Sequence, residues 1–366
     1  MTTLLRTGIA GAIAIFLLSP ALALAQSWQD DWKSAQERAK SQTLNAMIAG
    51  DDAYREILNL FSKKFGIRTE VTVSRPSSAL ARIQTEQKNG QFIWDIWMGG
   101  TSNMVNSASP AGLTEPMERY FIRPEVKDPS NWRHPDFLFG DSRRTAFTTS
   151  NKLEFYVLRN ISVLPDVKVE TWDDFLNPKL KGRIAIRDMS VPNAGTFAMA
   201  TAYGVKGADF LGRLLKEQDV RFFENPQQLD AAITRGQVAV SVGLESYIWE
   251  KCRADGGCKD VENLRQFASA ISIGLTVPKN APDSDAVKVF VNWFLSKEGQ
   301  ELFVAAWAKQ TTSGAVSMRK DVPPAKGHEE SLPDFSNPRQ YVFVSSEFGS
   351  KEIEETIKLY KAALGR

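Results

Sequence analysis

An α/β fold of two lobes, each a mostly parallel sheet flanked by helices, is what the sequence predicts, and three observations predict it. Short apolar or alternating runs at 43–48, 68–73 and 92–98 are each followed by a helical run, and the pattern resumes at 183–186, 220–223 and 238–242. Such alternation argues for parallel strands joined by helical crossovers. The 366 residues are too many for one small core and suit about two domains of roughly 100–200 residues. Extended stretches at 145–158 and 268–277 are positioned to carry the chain out of the first lobe and back. The expected division is a leader over 1–25, a discontinuous first lobe of 26–150 with 274–366, and a second lobe of 151–273.

The leader has a lone Arg6, an apolar run over 9–18 and Ala23-Leu24-Ala25 before Gln26, the three-part layout of a secretory signal peptide. The run is broken by Gly11, Ser19 and Pro20 and falls short of the roughly 20 residues needed to span a bilayer, so an exported chain starting near Gln26 is expected. Trp28, Trp32, Ala35 and Ala39 recur at helical spacing. Strand 43–48 ends in Gly50-Asp51-Asp52, and Tyr54, Ile57, Leu58, Phe61 and Phe65 mark one helical face. Strand 68–73 leads through Arg75-Pro76-Ser77-Ser78, where Pro76 or Ser77 starts a helix over 79–88. Strand 92–98 turns at Gly99-Gly100-Thr101-Ser102 into another helix, and 120–141, rich in Pro, Asp, Arg and aromatics, reads as a surface excursion.

In the second lobe Thr171 caps a short helix with Asp173 and Asp174 in its first turn. Asn177-Pro178 stops it, and Gly182 turns the chain into strand 183–186. The small residues from Ser190 to Thr196 then open a helix over 196–203, so that free amides would sit just beyond a strand end, where open α/β sheets bind ligands. A further helix is expected over 208–217. Val287, Phe290, Val291, Phe294 and Leu295 share a helical face back in the first lobe, followed by 301–309 and a closing helix over 352–364.

Bulk charge excludes some partners. The formal net charge is +2, of which Arg6 supplies one, so for the mature chain neither a nucleic-acid footprint nor an acidic partner is implied. The two cysteines, Cys252 and Cys258, enclose Arg-Ala-Asp-Gly-Gly. In an exported chain they are expected to form a disulfide; a redox or metal pair would call for Cys-x-x-Cys spacing or a nearby His.

Catalytic material is sparse: two His, His134 and His328, in polar loops that suit surface residues, and no nucleophile elbow, phosphate loop or His-Glu-x-x-His motif. No catalytic residue, metal ligand or cofactor is assigned. Binding material is richer. Ser77 and Ser78 after Arg75, Thr101 and Ser102 after a Gly pair, and Asn193, Gly195 and Thr196 at the second-lobe helix offer amides and hydroxyls to a carboxylate or phosphate. Each hydroxyl fits an N-cap equally well. Arg187 suits either an anionic ligand or a pair with Asp188 or Asp174.

Thr171-Trp172-Asp173-Asp174-Phe175, Pro178 and Lys181-Gly182-Arg183 resemble the Trp-x-Asp-Leu…Pro…Lys-Gly-Lys pattern of bacterial solute-binding proteins of ABC importers. The resemblance is to the ferric-iron, thiamine, polyamine and organophosphate group with the type 2 periplasmic-binding fold. It extends through Trp32 to Ala39, Ala53-Tyr54-Arg55, Trp94-Asp95-Ile96-Trp97-Met98-Gly99-Gly100 and Phe294-Leu295-Ser296-Lys297-Glu298-Gly299-Gln300, nearly the whole chain. It implies a ligand cleft between the lobes, a periplasmic location, a monomer, no cofactor, and as partners a small solute and the permease subunits of an ABC transporter. In the ferric-iron binders a second-lobe loop carries two adjacent tyrosines before a Trp; the matching segment here is Glu245-Ser246-Tyr247-Ile248-Trp249. With Ile248 in the second position the ferric site is incomplete, and Tyr247 suits stacking on, or hydrogen bonding to, an organic ligand.

The expected ligand set is therefore Asp51, Arg75, Ser77, Ser78, Gly100, Thr101, Ser102, Asn193, Gly195, Thr196, Glu245 and Tyr247, holding a small polar anionic solute. A polyamine or thiamine would instead use Asp51, Asp52, Glu245 and Tyr247. Outside this class, a secreted hydrolase or lyase on the same architecture would show a perturbed acid and base pair in the cleft, and a structural or adhesive protein would show a filled one.

Overall fold

In the computed structural model the residues described are 20–50, 52–134, 136, 138–244, 246–310, 314–335 and 346–365. The apolar run of the leader, Asp51 and Glu245 lie outside them, as do the side chains of Ser246 and Tyr247. Helix α1 (Pro20–Ala39), β1 (Thr43–Ile48), α2 (Asp52–Phe65), β2 (Arg68–Val73), α3 (Pro76–Lys88) and β3 (Ile96–Gly100) follow in the expected alternation. After a π-helical turn (Met104–Ala108) come β4 (Thr114–Glu115), α4 (Pro124–Lys127), β5 (Ala146–Glu154) and β6 (Val157–Asn160).

The second half contains β7 (Ile184–Arg187), α5 (Ala194–Glu217), β8 (Arg221–Phe223), α6 (Pro226–Thr234), β9 (Val240–Val242), α7 (Ser246–Ala254) and β10 (Val261–Asn263). Then β11 (Ser269–Pro278), α8 (Ser284–Phe294), α9 (Lys297–Ala308) and α10 (Glu347–Ala363) complete the chain. The two helices expected at 196–203 and 208–217 are the arms of α5, interrupted at Gly207, where the backbone is non-helical.

Two sheets result. The first has the order β2-β1-β3-β11-β4, with β5 also paired to β11; the second runs β10-β6-β9-β7-β8. Each has a parallel trio, β2-β1-β3 and β9-β7-β8. One strand in each sheet, β11 in the first and β6 in the second, runs against its trio. Strands β4, β5 and β10 pair with that strand and so run with the trio, which leaves both sheets mostly parallel in direction, as the alternation suggested. The reason for the opposed strand is topological: a strand that enters a sheet from the other lobe arrives at the opposite end and must run against the trio. Sheet membership changes between Glu154 and Val157 and again between Asn263 and Ser269.

Each half has its own core. In the first, Phe61 packs between Phe290 and Trp293 at centroid separations of 5.2 and 5.7 Å, and Tyr54 stacks on Phe303 at 5.5 Å. This aromatic layer ties α2 to α8 and α9, and each such pair adds about 0.5–1.5 kcal/mol beyond its buried area. Trp32 of α1 meets Phe65 edge-on at 6.1 Å. The second core centres on Trp172, Phe175 and Phe267, with Trp172 and Phe267 4.4 Å apart. Thr171 and Asp174 form the expected cap, on a 3-10 turn rather than an α-helix: the Thr171 amide and hydroxyl donate to Asp174 at 2.8 and 3.0 Å.

Three positions differ from the sequence reading. His328 is 7% exposed and its Nδ1 accepts from the Ala315 amide at 3.3 Å, so it is an interior acceptor and not a surface residue. The closing helix, grouped above with the first lobe, makes its first-turn bonds there and then packs along α5. Strand β3 begins at Ile96, because Asp95 is fully buried in a bonded turn: its carboxylate accepts from the Asn45 amide at 2.8 Å and the Asp283 amide at 2.9 Å. Cys252 and Cys258 are joined in a disulfide, Cα to Cα 5.5 Å.

Burial pushes the Asp95 carboxyl up to about 6, against the lowering pull of the Asn45 and Asp283 amides. The folded value lies above the unfolded one of about 4, so this group favours folding at acid pH. Its contribution is lost as pH rises from about 4 through about 6. Carbon-detected NMR titration of Asp95 is expected to give a midpoint near 6, and a midpoint near 4 would contradict the burial argument.

Candidate functional site

The first-lobe half of the candidate site is built where three parallel strands end together. Ile48 pairs with both Val73 and Met98, and the Ala49 and Ser74 amides bond the Met98 and Ile48 carbonyls at 3.0 and 2.9 Å. The loops at Gly50, Ser74 to Ser78 and Gly99 to Ser102 therefore leave one edge of the sheet side by side. Helix α3 starts in this edge with Arg75 as its N-cap in extended backbone, Pro76 in the first turn and no side-chain cap. Arg75, Ser77 and Ser78 are exposed. Thr101 is fully buried; its amide and hydroxyl both donate to the Ser272 carbonyl, at 3.2 and 3.3 Å. Ser102 is half-buried and its hydroxyl accepts from Asn106 at 3.4 Å.

The second-lobe half is organised differently, because α5 caps itself. The Asn193 Oδ1 accepts from the Gly195 and Thr196 amides at 2.8 and 3.3 Å, while its Nδ2 donates to the Asp188 and Val191 carbonyls at 2.6 and 3.1 Å. Thr196 is fully buried and its hydroxyl donates to the Val191 carbonyl at 2.8 Å. These three residues fix the shape of the loop, and the helix-start amides expected to be free at Gly195 and Thr196 are already bonded. The same bonds hold Val191 outward, 60% exposed.

Close backbone approach underlies this loop. At Gly243, φ is +105°, and a Cβ would stand 2.7 Å from the Gly195 Cα and 2.8 Å from the Arg187 Cβ. At Gly195 a Cβ would stand 2.8 Å from the Arg187 carbonyl. The ends of β7 and β9 and the start of α5 thus meet without intervening side chains, bringing Arg187, Asn193, Gly195 and Gly243 together. Helix α7 follows immediately and carries Tyr247; Ile248 and Trp249 pack with Cys252 against the Leu229 and Ile233 cluster. Asp174 is held by its cap.

The two halves are joined by β5 and β11, which pair from the first-lobe edge onward. Gly100, Ile273 and Ser150 lie in one row, and four more pairs, from Asn151 with Ser272 to Glu154 with Ser269, continue toward the second sheet. Among the described residues no group of three or more His, Cys, Asp or Glu could hold a metal ion, and no helix is long and apolar enough to cross a membrane. Sequence reasoning missed Gly243 and Tyr360, whose hydroxyl donates to Asp188 at 2.6 Å behind the loop. The signal for Gly243 was a glycine directly after an apolar strand, as at Gly99; nothing in the sequence pointed from Tyr360 to Asp188.

Residues 44–306 match the model of a family described as bacterial extracellular solute-binding protein. An uncharacterized protein of Haemophilus influenzae is 30% identical over 258 residues, covering 68% of this chain and 70% of that protein. Among solved structures, ferric iron-binding protein A of Mannheimia haemolytica in an open conformation superposes with a TM-score of 0.64 at 15% identity, covering 88% of this chain and 98% of that one. Iron-bound HitA of Pseudomonas aeruginosa gives 0.58 at 16% identity, and AfuA of Actinobacillus pleuropneumoniae with bound fructose-6-phosphate 0.55 at 20%. Each of these two matches covers 88% of this chain and 99% of the other. They show a two-lobed periplasmic-binding fold.

Gly243→Ala combines a disfavoured positive φ with a backbone collision, so it is expected to destabilise the protein by roughly 2–5 kcal/mol. Urea unfolding checks this; a change within about 0.5 kcal/mol, typical of an unconstrained surface position, would mean that the three backbones do not meet so closely.

Proposed function

The chain belongs to the bacterial extracellular solute-binding proteins, transport receptors rather than enzymes, and from that premise we propose that it captures a small polar, anionic organic solute between its lobes and delivers it to the permease subunits of an ABC importer. It would be exported through its N-terminal leader and act as a monomer. The observation that carries the reading is the start of α3. This 13-residue helix has no side-chain cap, exposed hydroxyls at Ser77 and Ser78, and the exposed guanidinium of Arg75 beside it. The positive end of a helix dipole, free amides and a full positive charge together favour a carboxylate or phosphate.

The second lobe supports a complementary role. The loop that Asn193, Gly195 and Thr196 hold rigid, with Tyr247 beyond it, offers a preformed surface to the far side of the solute, and Gly100 and Ser102 line the first-lobe edge in this reading. Contacts made fully only when both lobes meet the solute favour the closed arrangement by their differential affinity. AfuA, with its bound sugar phosphate, illustrates the solute class on this fold. The ferric reading is weaker, since Ile248 packs into an apolar cluster and supplies no oxygen.

Thermal-shift and calorimetric titration with fructose 6-phosphate, small carboxylates, spermidine, thiamine and ferric citrate tests this. An anionic organic solute should stabilise the protein, and Arg75→Ala and Ser78→Ala should each weaken its binding roughly ten to a hundredfold without changing the unliganded melting temperature. Stabilisation by spermidine or thiamine alone would favour a cation receptor. A visible charge-transfer band with ferric citrate that is lost in Tyr247→Phe would favour iron; either outcome overturns the proposal.

A further inference from the structure

The C-terminal helix lies beyond the 44–306 span of the family match and runs from one lobe to the other. Its first turn is bonded to the first lobe: the Glu347 amide donates to the Gly140 carbonyl at 2.8 Å, and its carboxylate accepts from the Ser142 amide at 2.7 Å. One turn later the Ser350 hydroxyl donates to the Asn106 Oδ1 at 2.6 Å, and Asn106 in turn donates to Ser102 at 3.4 Å. Over its 17 residues, a length of about 25 Å, it then packs along α5 and β8. Ile353 meets Ala200 before the middle of the helix, and one turn before its exposed end the Tyr360 ring meets Phe222 at 4.9 Å.

Tyr360 does more than fill space. It is 1% exposed, and its hydroxyl donates to Asp188 Oδ2 at 2.6 Å. The other carboxylate oxygen accepts from the Ser190 amide at 2.9 Å and from the Ser190 hydroxyl, and the Asp188 carbonyl accepts from Asn193, the residue that caps α5. One buried phenol therefore anchors Asp188, whose carboxylate also holds Ser190 and whose backbone carbonyl holds Asn193 at the far end of the loop. A hydrogen bond to a charged acceptor in so enclosed a place is among the stronger kinds, and costly to leave unmade.

We propose that Tyr360 is a positioning residue for the second-lobe loop, and that α10 is the strut through which that loop is held in register with the Ser102 edge of the first lobe. Its functional consequence rests on the solute reading above; the positioning itself does not. Hydrogen exchange by mass spectrometry on the full chain separates the two, because it needs no solute. Tyr360→Phe keeps the ring and removes only the hydroxyl. Amides of 188–197 are expected to exchange roughly tenfold faster or more, with α6 nearly unchanged. Asp188→Asn should produce the same local effect, and the double variant little beyond either single one, the non-additivity expected of partners in one network. Unchanged exchange over 188–197 in Tyr360→Phe, a rise spread evenly over α5, β8 and α6, or fully additive effects would overturn the assignment and leave Tyr360 a packing residue.

Discussion

The antiparallel pairing of β5 with β11 is the constraint on which the rest of the molecule depends. Eight residue pairs, interrupted by one irregularity beside Gly274, place the chain's outward and return paths side by side. Everything between them, from Val157 to Asn263, can then close into a second sheet with its own core. A Cβ at Gly274 would stand 1.9 Å from the Phe147 carbonyl and 3.0 Å from the Thr101 methyl, so the first-lobe edge is packed directly onto the crossing. Thr101 donates twice to the Ser272 carbonyl. The floor between the lobes is thereby continuous with the strand ends that carry the candidate loops.

On that base the two helix starts have opposite chemistry. At α5 the orphan amides of Gly195 and Thr196 are taken by Asn193, and the loop is rigid because its polar groups bond one another. At α3 the N-cap is an arginine, whose side chain cannot accept, so the first-turn amides keep their capacity for an outside acceptor. In the proposed closed arrangement a rigid wall would meet an uncapped, positively charged helix end, and a small anion would complete it. The first lobe would then supply most of the charge recognition and the second most of the shape.

Much of this was legible in the sequence. Strands β1 and β2 and helices α2 and α3 follow alternation and periodicity closely, because those signals reflect burial on one face of an element and need no knowledge of its neighbours. The serines at the start of α3 and the small residues before α5 were recognisable as helix starts. Which amides were already bonded was not, since Asn193 and Arg75 both precede helices and differ only in what their side chains can accept. The one opposed strand in each sheet, β11 and β6, was not legible for a related reason: its direction is set by which lobe the chain arrives from, a tertiary fact. Tyr360 carried no signal of its partner, because Asp188 lies 172 positions away and only the return of α10 across the lobes brings them together.

The central claim is that an anionic organic solute draws the two lobes together. Small-angle scattering from the natively purified protein, before and after removal of the solute identified by mass spectrometry in that preparation, tests it most directly. The account predicts one organic anion per chain and a smaller radius of gyration with it bound than without. An unchanged radius in the presence of a bound solute, or a metal ion as the retained species, would contradict it.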